Sequence, residues 1–135
     1  MPLLVDTGIL FALADRSDRW HARTRTYIES ARETLLAPVT IVPEVAYLLR
    51  ERISVRAELA FLRSIADGEL AIQNIERGDW QRMKELMQAY DFLGLVDASV
   101  IAIAERFKVG TIATTDRRHF GAVRPAHIEK FALVP

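Results

Sequence analysis

The sequence predicts an α/β protein with a three-layer α/β/α arrangement, in which helices cover both faces of a central parallel sheet of four to five strands. Two observations lead there. Short apolar runs alternate along the 135 residues with longer stretches of helical period. Among the first four runs, each is separated from the next by at least one such stretch, which is the spacing of βαβ units and parallel pairing.

The elements follow in order. Leu3-Leu4-Val5 reads as a short buried strand ending at Asp6. Trp20, Tyr27, Ile28 and Ala31 share one face of a helix. Leu35 to Val39 gives a second strand, and Val42, Val45, Ala46 and Leu49 give a helix with Pro43 suited to its first turn. Leu59, Leu62 and Ala66 form the next helical stripe, stopped by Asp67-Gly68. Leu70-Ala71-Ile72 reads as a third strand. Trp80, Met83, Met87 and Tyr90 form a further stripe, with the two methionines expected in the core. Val96, Val100, Ile103 and Phe107 form another, with Gly110 expected to end it. Thr111 to Thr114 is a fourth strand and Phe131 to Val134 a fifth.

A chain of this length is expected to form one domain spanning residues 1–135 and to bury roughly two-thirds of its unfolded surface. It has no cysteine, which removes disulfides, thiolate catalysis and cysteine-ligated zinc. The stretch Met1 to Asp6 lacks the basic start and unbroken apolar run of a signal peptide, and no apolar stretch is long enough to span a bilayer. A cytoplasmic protein is expected. The net charge is zero, yet 15 of the 18 basic residues are Arg, clustered at Arg16, Arg19, Arg23 and Arg25, at Arg50, Arg52 and Arg56, and at Arg117 and Arg118. A basic rim around an acidic centre gives that sum, and Arg suits phosphate.

Ligands of open parallel sheets bind outside the carboxyl ends of the strands. Asp6 follows directly on the first strand and Asp116 directly on the fourth. Glu44 lies in the first turn of the helix after strand two. Asp97 starts a helix of roughly 16 Å that runs into strand four. Four acids are thus expected at one edge. Singly, Asp97 reads equally well as a helix cap, Glu44 as an acid facing the helix dipole, and Asp6 and Asp116 as starts of Asx turns. Together they form a crowded carboxylate group that hard divalent cations such as Mg2+ or Mn2+ would relieve.

At these residues the sequence resembles PIN domains, and more narrowly the VapC-type toxins of toxin–antitoxin systems. The matching segments are Leu4-Val5-Asp6-Thr7-Gly8, Val42-Pro43-Glu44-Val45, Val96 to Ala102 and Ala113 to Phe120; Asp18-Arg19-Trp20-His21 matches a shorter family stretch. The resemblance covers nearly the whole chain. It implies a metal-dependent endoribonuclease, a homodimer, and an antitoxin whose C-terminal segment fills the site. It implies Asp6, Glu44, Asp97 and Asp116 as the metal-binding acids and Thr115 as a supporting hydroxyl. Some PIN domains carry a further acid where this chain has Arg118, so one tight ion and a second recruited by RNA are implied here.

Such an enzyme would hydrolyse RNA with a metal-activated water, and Arg side chains at the mouth would position phosphates. His21 and His119 read as surface or cap residues with RNA contact as the alternative, and Trp20 and Tyr27 as core or dimer packing residues with base stacking as the alternative. Three other readings are compatible with parts of the pattern. Asp6-Thr7-Gly8 matches the aspartic-protease triplet, which calls for a dimer of nearly all-β subunits. A receiver-like phosphoacceptor also gathers acids, but needs an aspartate after strand three, where this chain has Asn74-Ile75-Glu76. A non-catalytic binding module would keep the acids for structure alone.

Overall fold

A computed structural model of the chain describes residues 2–135. Its strands are β1 (Leu3–Val5), β2 (Leu35–Pro38), β3 (Leu70–Gln73), β4 (Thr111–Ala113) and β5 (Ala132–Val134). Its helices are α1 (Thr7–Ala14), α2 (His21–Ser30), α3 (Ile41–Arg52), α4 (Val55–Ala66), α5 (Arg77–Ala89), α6 (Leu95–Phe107) and α7 (Arg117–Ala122). Every strand pair is parallel, in the order β3-β2-β1-β4-β5. The chain starts in the middle of the sheet, builds outward through β2 and β3, then crosses back to add β4 and β5. Right-handed crossovers therefore place α1 to α4 on one face and α5 and α6 on the other. The direction reverses between β1 and β4, and a crevice opens at such a point beyond the strand ends.

The central strands are apolar throughout because helices cover both faces. Leu3, Leu4, Val5, Ile112 and Ala113 are buried and pack with Ile101 and Ile103 of α6 and Phe120 of α7. α5 and α6 are strapped together by ion pairs. Arg82 meets Glu105 through two nitrogens at 2.7 and 3.0 Å, and Arg106 meets the buried Asp79 at 3.0 Å. Asp79 also accepts the Glu76 backbone N–H at 2.9 Å, closing a capping box on α5. These contacts fix the axis of α6 and so the position of its first turn.

The structure departs from the sequence reading in specific places. α1 has almost no polar residues and hence no amphipathic period to detect, and α7 is too short to show one. In α4 the stripe of Leu59 and Leu62 faces solvent, at 54% and 46% exposure, while Phe61 carries the buried face. α4 has apolar residues on two sides, and periodicity alone does not say which side meets the core. In α5, Met83 and Leu86 are buried while Trp80 and Met87 are exposed. The second methionine is thus not a core residue.

The end of α6 is also unexpected. Its left-handed cap is Lys108, at φ 58°, rather than Gly110. The Lys108 and Val109 N–H groups turn back to the last carbonyls of the helix, those of Ala104 and Glu105. A side chain in that conformation costs roughly 1–2 kcal/mol, partly offset by the greater freedom that glycine has when unfolded. Lys108→Gly is expected to raise stability by about 0.5–1 kcal/mol in urea titrations. A loss of stability would mean that the Lys side chain makes compensating contacts.

Candidate metal centre

The site grows from the switch point between β1 and β4. Asp6 leaves β1 with an extended backbone and caps α1, its Oδ1 accepting the Ile9 N–H at 2.9 Å. Its Oδ2 accepts the hydroxyl of Thr114, the residue directly after β4. The same hydroxyl oxygen accepts the Asp116 N–H at 2.8 Å. Asp116 then caps α7, with Oδ1 accepting the His119 N–H at 3.0 Å. Thr114 is fully buried and joins two acids from neighbouring strands.

Asp97 comes from the first turn of α6. The cap of that helix is Gly94, so the carboxylate of Asp97 is not consumed in capping. Ser99 fixes this turn by donating to the Val96 carbonyl and meeting the Thr40 hydroxyl at the start of α3. That contact draws together the starts of α3 and α6, which carry Glu44 and Asp97. Glu44, Gly94, Leu95, Val96 and Asp97 line a cleft of about 340 Å³.

Of the residues singled out from sequence, Asp6, Asp97 and Asp116 come together, and Glu44 stands exposed at the rim. Asp6 and Asp116, read from sequence as starts of Asx turns, instead cap α1 and α7, each through one oxygen. Asp97 is not a cap. Thr115 lies apart from this hydrogen-bond chain; a side chain added at Gly8 would come within 2.7 Å of its Oγ1. Thr114 was missed although a buried threonine two residues before an acid is a signal: such a hydroxyl commonly bonds nearby backbone.

His119 was also read too plainly. Its Nδ1 lies 2.9 Å from Asp116 Oδ2 and 3.9 Å from Asp97 Oδ2, buried but without a well-directed hydrogen bond. The ring stacks on Phe92 at 5.1 Å. Asp97, Asp116 and His119 offer ligand atoms that all lie within 4.8 Å of one another. His21 instead meets the Ala12 carbonyl at 2.8 Å and ties α2 to α1.

The electrostatics show the charge crowding. Burial pushes the Asp6 carboxyl up to about 6, with Asp97 and Asp116 adding repulsion against the hydrogen bonds from Thr114 and Ile9. Asp97 is raised too, first by burial and then by Asp116 and Glu44, while His119 opposes the rise. Hard carboxylate oxygens plus one imidazole, lacking a fixed cation among the described residues, fit a divalent ion such as Mg2+ or Mn2+.

The protease triplet has lost its context. Asp6-Thr7-Gly8 runs into a helix beside an all-parallel sheet, not through the nearly all-β subunit that chemistry requires.

Comparison with known proteins agrees with this fold. The PIN domain family model matches residues 3–124. The chain is 33% identical over 135 residues to Ribonuclease VapC26 of Mycobacterium tuberculosis (strain ATCC 25618 / H37Rv), with 98% of this chain and 100% of that protein covered. Among solved structures, Mycobacterium tuberculosis VapC20, a Sarcin-Ricin loop cleaving toxin, superposes with a TM-score of 0.83 at 18% identity, over 93% of this chain and 98% of that one. A toxin–antitoxin complex from Klebsiella pneumoniae gives 0.71 at 22% identity, over 90% and 92% of the two chains. VapBC2 from Rickettsia felis, bound to a DNA fragment from its promoter, gives 0.70 at 14% identity, over 98% and 97%. With the family model spanning the sheet from β1 to the end of α7, this chain belongs to the PIN-domain family.

Proposed function

We propose that this chain is a metal-dependent endoribonuclease that hydrolyses RNA phosphodiester bonds, acting as the toxin of a toxin–antitoxin pair. The observation that carries this reading is the meeting of Asp97, Asp116 and His119 within 4.8 Å of one another at the switch point of the sheet, with Asp6 held beside them by Thr114 and shifted to about 6 by burial and its acidic neighbours. The whole-length likeness to a ribonuclease supplies the substrate class. The reading includes one domain over residues 1–135, a cytoplasmic location, a homodimer and an antitoxin as regulatory partner. Among the described residues, no helix is long and apolar enough to cross a membrane.

Asp6, Asp97 and Asp116 would hold Mg2+ or Mn2+, with His119 placed to add a nitrogen and Glu44 at the rim to join when substrate brings further positive charge. When bound, the ion supplies a water that is nucleophilic near neutral pH and a counter-charge for the phosphate. The residues themselves fix positions. Thr114 holds Asp6 and Asp116 in register, and the α1 and α7 caps prevent their carboxylates from rotating. Thr115 packs by Gly8 and forms the wall next to Asp6. No side chain need act as nucleophile.

The test is removal and return of the ion. The native chain is expected to cut single-stranded RNA in Mg2+ or Mn2+, to lose at least about 100-fold in rate in EDTA, and to recover on adding either ion. Cleavage that survives chelation would overturn the assignment.

A further inference from the structure

Beside the acids, on the α2 side, stands a second arrangement that capping and core packing do not explain. Trp20, at the start of α2, is half-buried. The Arg23 guanidinium lies 4.5 Å from its ring centre and that of Arg117 lies 5.6 Å away. Arg117 directly follows Asp116 and opens α7. Both arginines are exposed, and among the described residues neither is in an ion pair. Arg25, Arg50, Arg82 and Arg106, by contrast, each meet an acid. Two guanidiniums gathered at one indole repel each other and leave nearly all their donors free. That is a surface awaiting an anion. Arg23 also borders a groove of about 460 Å³ along α2, lined by Thr26 and Tyr27.

From this placement we infer that Arg117, Trp20 and Arg23 form a single-strand RNA subsite leading away from the acid cluster. Arg117 and Arg23 take successive phosphates, Trp20 stacks a base between them, and the strand continues toward Tyr27. The inference rests on the ribonuclease reading and names where its substrate lies. A basic aromatic track of this kind holds single strands with little sequence preference, since every base has a face to stack.

Trp20 and Trp80 are the only tryptophans in the sequence, and Trp80 lies exposed on α5. In a Trp80→Phe protein, Trp20 is therefore the sole indole reporter. Titration with a single-stranded RNA oligomer, with Ca2+ replacing Mg2+ to hold off cleavage, is expected to quench its emission saturably. An oligomer of equal length with abasic riboses is expected to bind but quench little. Trp20→Ala is expected to weaken oligomer binding about 5- to 100-fold and raise KM proportionally more than it lowers kcat, with Trp20→Tyr recovering most of the loss. Arg23→Gln and Arg117→Gln are each expected to flatten the salt dependence of binding by about 0.7 in logarithmic slope. Circular dichroism and melting of each variant separate a folding defect from a binding one. If the native chain cuts RNA while Trp20→Ala and native bind and cut alike, or while intact and abasic oligomers quench equally, the subsite is wrong and the ribonuclease reading stands. If the native chain cuts no RNA with any ion, both fail. Quenching by an acidic peptide but not by RNA would instead make the track a protein contact and overturn the inference.

Discussion

Asp6→Asn is expected to leave the chain folded, to stabilise its metal-free form at neutral pH, and to lower RNA cleavage by about 10²- to 10⁴-fold. The opposite signs have one cause. The Asp6 carboxyl sits at about 6 in the folded chain against 3.8 for the free side chain, because burial disfavours its charge and Asp97 and Asp116 add repulsion. The folded state therefore holds the proton more tightly than the unfolded state. Ionising Asp6 disfavours folding progressively from about pH 4 to about pH 6, and fully above that. The penalty is on the order of 3 kcal/mol for a shift of this size. Asparagine removes that charge and keeps an oxygen for the Ile9 N–H. Denaturant melts in EDTA should show the variant gaining about 1–3 kcal/mol at pH 8 and little at pH 4. Saturating Mg2+ should shrink or reverse the gain, because the native acids then have their counter-ion. An unchanged melting curve at both pH values, together with unchanged cleavage, would remove Asp6 from the site. Protons also compete with the ion, so metal affinity of the native chain should weaken as pH falls below about 6.

The second large effect belongs to Thr114. Thr114→Val has nearly the same shape but removes both the donor to Asp6 and the acceptor for the Asp116 N–H. A buried carboxylate and a backbone N–H would each lose a partner in one step, at a stability cost of about 2–4 kcal/mol. Metal affinity and cleavage are expected to fall about 10- to 100-fold, since the two acids lose their shared brace. Thr114→Ser restores the hydroxyl and should recover most of both. The same substitution at Thr115, whose Oγ1 stands over Gly8, is expected to change metal affinity by no more than about threefold. Calorimetric titration with Mn2+ across the four proteins checks this. A larger effect at Thr115 than at Thr114 would reverse the assignment of the supporting hydroxyl.

The acids were legible because each sits at a boundary that sequence marks well. Asp6 ends an apolar run, Asp116 follows another, and Glu44 and Asp97 begin helices with clear periods. The strands were legible for a related reason: a parallel sheet covered on both faces needs continuous apolar runs, which stand out against amphipathic helices. α1 escaped because it carries no polar face, and the stripe of Leu59 and Leu62 did not tell which side of α4 meets the core because both sides are apolar. The left-handed Lys108 escaped because the backbone there closes on α6 through its own N–H groups, whatever the side chain.

By itself, then, the sequence determined the layer order, the strands and the placing of Asp6, Asp97 and Asp116 at one edge, since these depend on local period and on where apolar runs stop. Tertiary structure decided the rest. Which hydroxyl braces the acids depends on the pairing of β4 with β1 and β5, which turns Thr114 inward and leaves Thr115 over Gly8. The meeting of His119 with Asp97, and of Arg117 with Trp20, depends on how α7 docks beside α6 and α2. Those contacts join residues far apart in the chain, and their energies come from burial and charge proximity, neither of which is written in any local run of residues.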